Sequence, residues 1–129
     1  MPRQTEKITM WFDYPDDPDK GRVEITNLTE EDVAEITAAS ITTRTIYDND
    51  RGKPVQEIIS DTLIDRQETV CRAVKNWENF FDPDGKAMEC TDAAKRQWAC
   101  SNAFMKFVNK NRIIVAEAAE KRAEERRKN

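Results

Sequence analysis

Apolar and polar residues alternate along the first part of the chain with the period of two that is typical of β-strands. Residues 7–12, KITMWF, combine β-branched and aromatic types, and residues 22–26, RVEIT, place Val23 and Ile25 between polar neighbours. The intervening segment DYPDDPDKG holds two prolines and a glycine, which end strands and form surface turns. We therefore expect an antiparallel pair of strands joined by this turn.

The pattern then changes to a short helix and a second pair of strands. Thr29 precedes three acidic residues, which predicts an N-cap and a helix over about residues 30–39, with Val33 and Ile36 facing the sheet. The β-branched segments ITTRTI and VQEII predict a hairpin. Its loop, DNDRGKP, would hold Gly52 at a positive φ, and Pro54 should open the second strand or lie on an edge.

Residues 61–81 carry the strongest helical period, with Asp61 as the candidate N-cap. A further helix is predicted from the Thr91 cap to about residue 115, and a break near Ser101 is left open. The predicted apolar face of this helix consists of residues spaced three or four apart, with one glutamine among them. They are Leu63, Gln67, Val70, Val74, Trp77 and Phe81.

Together these elements predict an α+β fold, in which a small N-terminal antiparallel β-sheet packs with a predominantly helical C-terminal half. The length of 129 residues fits a single domain. We assign residues 1–115 to that domain. Residues 116–129, AEAAEKRAEERRKN, lack large apolar side chains and nearly balance acids against bases, which predicts a charged C-terminal tail, helical or frayed.

The amino-acid composition excludes several classes of catalytic and cofactor-binding site. The chain has no histidine, which removes the usual general base and the commonest zinc ligand, and its three glycines are too far apart for a phosphate-binding loop. We therefore expect no enzymatic activity, no catalytic residues and no cofactor. A net charge of −4 disfavours binding to nucleic acid, which is itself negatively charged. Without an apolar segment of membrane-spanning or secretory type, the protein is expected to be cytoplasmic, with its three cysteines reduced and buried.

The acidic loops were compared with the calcium-binding loop of EF-hands, which needs oxygen ligands at positions 1, 3 and 5, glycine at 6 and glutamate at 12. Counting from Asp82, glycine arrives too early and position 12 is Ala93. Counting from Asp48 or Asp13 fails in similar ways. We therefore expect no metal site and interpret DPDG as a tight turn, with glycine in the left-handed position.

Aromatic residues crowd the segment before this turn and recur on the last predicted helix. Those before the turn span more of the predicted helix than one stripe, so at least one ring should lie at the edge of the core. Buried aromatic side chains anchor many interfaces. The candidate interface comprises Trp77, Phe80, Phe81, Phe104 and Phe107.

The sequence resembles tail assembly chaperones of tailed phages and prophages in four short segments. These are VKNW at residues 74–77, FDPDGK at residues 81–86, and YPDDP and TNLT near the N-terminus. The likeness spans roughly residues 10–110. After GK, however, AMEC replaces the proline or apolar residue expected there, and the charged tail is longer than expected. The resemblance implies a non-enzymatic protein of the bacterial host's cytoplasm that binds the tape-measure protein and aids recruitment of tail-tube subunits.

Two alternatives remain open from the sequence. The protein could be a structural tail or head-tail component that stays in the phage particle. It could instead be a small regulatory or nucleic-acid-binding protein that uses Lys106, Lys110, Arg112 and the tail, although glutamates alternate with these bases. Self-association into a homo-oligomer is compatible with an assembly role and is also left open.

Overall fold

The computed structural model describes residues 6–47, residue 52 and residues 54–128. Most of the predicted hairpin loop, DNDRGKP, lies outside the described residues, but Gly52 has the expected positive φ of 64°. The elements, in chain order, are β1 (Thr9–Asp13), β2 (Arg22–Thr26), α1 (Glu30–Ser40), β3 (Ile41–Tyr47), β4 (Pro54–Ser60), α2 (Thr62–Ala73), β5 (Val74–Glu78), α3 (Asp92–Trp98) and α4 (Asn102–Lys128).

The main sheet has three antiparallel strands in the order β1-β2-β5. The predicted antiparallel pair of β1 and β2 is confirmed. In the central strand β2, Val23 and Ile25 are fully buried, as their alternation with charged neighbours predicts. Helices α2 and α4 pack on this strand, so the core lies between the sheet and the C-terminal helices. The predicted α+β fold is confirmed.

Helix α1 begins at the predicted cap. The Thr29 hydroxyl accepts a hydrogen bond from the Asp32 backbone N–H at 3.1 Å, and the Asp32 carboxylate accepts one from the Thr29 N–H at 3.0 Å, which forms a reciprocal capping box. Ile36 is buried, but Val33 is 49% exposed. The prediction that both face the sheet is wrong, because α1 packs mainly against α2.

The predicted helix over residues 61–81 is correct at its start and wrong at its end. Asp61 caps α2 as expected, but the helix stops at Ala73 and the chain continues as strand β5. The register of β5 on β2 shifts where Ile25 pairs with Val74 and Glu24 pairs with Asn76. This β-bulge inserts Lys75 as one extra residue and moves the alternation of side chains by one position.

The bulge explains why the sequence favoured a helix. In a regular strand, positions 74 and 76 would share a face, but the extra residue brings Val74 and Trp77 to the buried face instead. Their spacing of three therefore imitates a helical period. Pairing with the free edge of β2 outweighs the local helical pattern, since it satisfies the backbone groups of that strand.

The C-terminal half contains the break that the sequence left open. Helix α3 is capped by the Thr91 hydroxyl and ends at Trp98, and the Ser101 hydroxyl accepts from the Phe104 N–H at the start of α4. Helix α4 continues without interruption past residue 115 to Lys128. Val115 and Ala119 are buried, and Arg126 forms an ion pair with Glu6 at 2.8 Å, so the charged segment is helical and its first turns pack on the domain.

Among the described residues, no helix has the length and apolar character needed to cross a membrane.

Candidate interaction surfaces

The candidate aromatic residues converge, but in the core. The rings of Trp77 and Phe80 stack at 4.9 Å between centroids, and Phe80 meets Phe104 edge-on at 6.1 Å. Phe104 is fully buried, while Trp77, Phe80 and Phe107 are at most 8% exposed. The Trp77 indole N–H donates to the Met88 carbonyl at 2.8 Å, which satisfies its polar group inside the protein.

Four of the five candidate residues therefore lie in the core of the structure. Trp77, Phe80, Phe104 and Phe107 are core side chains, because the bulge in β5 turns Trp77 inward and α4 lays its two rings over the same cluster. Phe81 is 39% exposed and is the member of the set that reaches the surface. The expectation of a ring at the edge of the core is therefore met by Phe81.

The DPDG segment is the tight turn that the sequence predicts. The Gly85 N–H donates to the Asp82 carbonyl at 3.0 Å, and Gly85 has φ of 82°. One carboxylate oxygen of Asp82 accepts hydrogen bonds from the backbone N–H groups of Asp84 and Lys86, each at 2.9 Å. The carboxylate thus closes its own loop. The turn follows strand β5, however, and not a helix as predicted.

A shallow cleft of about 230 Å³ lies beside Phe81, between the β1–β2 turn and α3. Tyr14 and Trp98 form its aromatic wall, and aspartates of the turn form its rim. The Asp17 carboxylate accepts from the N–H groups of Asp19 and Gly21, at 3.0 and 2.9 Å, so it stabilises the turn. Burial, and secondarily the Asp17 charge, raise the pKa of the Tyr14 hydroxyl.

The close approach of chain segments at this cleft requires glycine at position 21. A Cβ atom there would lie 2.6 Å from an Asp17 carboxylate oxygen and 2.9 Å from the Phe80 ring. Both distances are shorter than side chains tolerate, so the turn can close over the aromatic cluster only without a side chain.

The β3–β4 hairpin forms a second, separate sheet that projects from the domain. Its seven cross-strand pairs run without a register shift from Ile41 opposite Ser60 to Tyr47 opposite Pro54. The two strands pack against each other, and β3 also touches α1, from which it continues. A hydrogen bond of 2.7 Å from the Asp61 N–H to the Ser40 carbonyl closes the base. Every strand residue is exposed except the half-buried Glu57.

The hairpin concentrates the exposed apolar surface of the protein. Six of the eleven large apolar side chains that are exposed among the described residues lie on its two strands, and Tyr47 and Ile58 are 72% and 70% exposed. Both faces of the ribbon carry such residues: Ile41, Tyr47 and Ile58 on one, and Ile46, Val55 and Ile59 on the other. A strand pair that covers a core buries its apolar side chains on one face, whereas this hairpin exposes apolar side chains on both faces.

Sequence reasoning predicted the hairpin but did not identify it as a candidate interface. The available signal was the absence of clean alternation: the adjacent residues Ile58 and Ile59 must point to opposite faces of a strand. A ribbon with apolar side chains on both faces needs cover on both faces, as in a buried sheet. The pattern therefore indicated a strand pair covered on both faces, and the structure shows that the described residues leave both strands largely exposed.

The thiols differ in environment. Cys71 and Cys90 are half-buried and Cys100 is exposed, so the prediction that all three are buried is wrong for Cys100, which lies on the turn after α3. Burial raises the pKa of Cys71 and of Cys90, and the nearby cations do not reverse this effect. The raised pKa keeps both thiols protonated at neutral pH and weakens them as nucleophiles.

No protein-family model, curated protein or solved structure matches the chain.

Proposed function

We propose that the protein is a non-enzymatic assembly chaperone that holds another protein through the projecting β3–β4 hairpin. The observation that carries this proposal is the exposure of both apolar faces of the ribbon. A two-stranded hairpin is marginally stable in water by itself, and this one receives little packing from its own domain. An exposed apolar element of this kind gains stability when a partner covers it.

Helices α1 and α2 hold both ends of the β3–β4 hairpin. Both ends of the hairpin are fixed in the α1–α2 pair: β3 follows α1 directly, and β4 leads through Asp61 into α2. Arg72 of α2 forms ion pairs with Glu35 of α1 and with Glu68, which links the two helices. Movement of a bound segment would therefore be transmitted to the domain through two anchored strands.

The resemblance of residues 74–86 to tail assembly chaperones suggests which partner to test. By that resemblance, the hairpin would hold the long helical tape-measure protein while tail-tube subunits are recruited. An amphipathic helix presents the continuous apolar stripe that an exposed ribbon face can cover.

The test is co-expression with the tape-measure-like reading frame of the same genome, followed by co-purification. Tyr47→Thr and Ile58→Thr each remove an exposed apolar group from one face of the ribbon and place there a threonine, whose β-branched side chain suits a strand. We expect both variants to reduce recovery of the complex. Val33→Thr is the matched control, since Val33 is 49% exposed on α1, away from the hairpin strands, and should leave recovery unchanged.

Two results would oppose the proposal. Failure of the wild-type protein to bind any tape-measure-like chain would remove the assigned partner. Mass spectrometry of purified particles provides the other test, because a chaperone should be absent from the finished particle. Recovery in fixed copy number would instead identify a structural tail or head-tail component.

A further inference from the structure

The geometry points to a second copy of this chain as the occupant of the hairpin's edges: we propose that β3 of one molecule pairs with β4 of the next. This inference concerns the strand edges, whereas the chaperone proposal concerns the apolar faces. It also involves copies of this chain alone, so it stands or fails independently of any tape-measure partner.

Among the described residues, no further strand pairs with either outer edge of the hairpin. Each strand has seven residues, about 24 Å at 3.4 Å per residue, and the register of residues 41–47 on 54–60 contains no bulge. Natural edge strands are usually protected by prolines, bulges or several charges. Here Pro54 stands at the first position of β4, where its missing N–H affects at most the end of one edge.

Charge selects which edges can meet. Arg44 is the central residue of β3 and Glu57 is the central residue of β4, and they are the charged residues of the two strands. Within the hairpin they are paired at 2.5 Å. Full antiparallel overlap of two β3 strands would oppose two Arg44 side chains, and overlap of two β4 strands would oppose two Glu57 side chains. Like charges directly opposite each other destabilise a sheet.

Pairing of β3 with the neighbour's β4 gives the complementary arrangement. Full overlap then repeats the internal register, with Arg44 opposite Glu57 of the next molecule and with Ile46 opposite Val55. The result is one continuous antiparallel sheet in which positive and negative side chains alternate across the strands. The six apolar residues continue as rows on its two faces.

The symmetry of this contact has a consequence for assembly. Because two different edges meet, the contact is heterologous and leaves one free edge at each end, so association proceeds to rings or filaments and does not stop at a dimer. A single pair of seven-residue edges also buries less than the roughly 1,200 Å² of a standard stable interface. Association should therefore be weak and should increase with protein concentration.

Sedimentation velocity of the purified protein over the micromolar to millimolar range tests the proposal. We expect the average mass to rise with concentration from that of the 15.0 kDa monomer to beyond that of a dimer. Arg44→Gln should weaken association about two- to fivefold, the effect of losing one cross-strand charge pair. If two β3 edges met instead, Arg44→Gln would relieve repulsion and strengthen association; if two β4 edges met, Glu57→Gln would do so, whereas the β3–β4 contact is weakened by either substitution.

Arg126→Gln is the matched control. Arg126 also forms a surface ion pair, and its side chain is 68% exposed compared with 63% for Arg44. The control should leave self-association unchanged. An equal effect of both substitutions would indicate a general charge effect and would overturn the assignment to the hairpin.

A charge-swapped variant, R44E/E57R, keeps the complementary pair both within and between hairpins, so it should restore the association that R44E alone abolishes. Cross-strand NMR contacts between Thr43 and Ile58 report whether the hairpin remains formed in each variant. A protein that stays monomeric at millimolar concentration with an intact hairpin would overturn the proposal and leave these edges to a different partner. Binding of a tape-measure chain by such a monomer would leave the chaperone proposal standing.

Discussion

Replacing Phe104 by alanine would remove a ring that is fully buried at the centre of the aromatic cluster, 5.4 Å from Trp98 and 6.1 Å from Phe80 between centroids. A buried phenylalanine covers about 150 Å² or more, which corresponds to about 4 kcal/mol at about 25 cal/mol per Å². Alanine keeps part of that contribution, while the cavity left behind adds a cost. We therefore expect the free energy of unfolding to fall by about 3 to 5 kcal/mol.

Phe81→Ala is the matched control, because it makes the same chemical change at a ring from the same predicted interface. Phe81 is 39% exposed and borders an open cleft, so water fills the space that the ring leaves. The expected loss is about 1 kcal/mol. The comparison therefore separates a core ring from a surface ring within one short list of candidate residues.

Urea unfolding followed by tryptophan fluorescence measures both losses, since Trp77 and Trp98 lie in the same cluster. Phe104→Leu, which keeps most of the volume, should recover more than half of the stability lost in Phe104→Ala and guards against complete unfolding of the alanine variant. Equal losses for Phe81→Ala and Phe104→Ala would refute the assignment of Phe104 to the core. So would a stable Phe104→Ala protein that has lost binding to a partner.

Three other changes test the fold. Burial alone would raise the pKa of Asp32, but the Lys7 ammonium, 2.6 Å from the carboxylate, and the cap hydrogen bonds with Thr29 hold that pKa below its usual value. The contribution of Asp32 to stability is therefore present above the unfolded-state pKa and is lost as pH falls through the lowered pKa of the folded state. Asp32→Asn should therefore cost about 1 kcal/mol at neutral pH, and urea titrations should show this difference shrinking below about pH 4. Deleting Lys75 leaves Val74 and Trp77 two positions apart on one face of a regular strand, so the deletion should cost about 1 kcal/mol or less in thermal unfolding; a loss of more than about 3 kcal/mol, as expected if Trp77 turned to solvent, would contradict the bulge argument. A thiol reagent should label Cys100 first in the native protein, and fast labelling that persists in Cys100→Ser would contradict the raised pKa of the two half-buried thiols.

The local signals in the sequence were reliable where neighbouring residues along the chain decide the structure. The capping residues Thr29, Asp61 and Thr91 all begin helices where expected, because a cap is a hydrogen bond between residues two or three positions apart. The strand RVEIT and the turn DPDG are likewise local patterns. Gly85 adopts the positive φ that its turn requires.

The burial of the candidate aromatic residues could not be predicted from the sequence because burial is not a local property. Trp77 and Phe80 fit the edge of a helix in the sequence, but a bulge and a tight turn bring both into the core. The hairpin shows the converse case. Its apolar residues resemble core positions in the sequence, yet they are exposed because no other described element of the chain packs over the ribbon.

By itself, the sequence determined the α+β class, the helix starts, the strand pair at the N-terminus and the acidic turns, since each depends on residue type and short spacing. Tertiary structure decided that residues 74–78 are a strand, because the edge of β2 supplies hydrogen-bonding partners for that segment. It also decided which apolar side chains are covered and which are exposed. That division depends on packing between residues far apart in the chain, which the order of residue types along one segment does not encode.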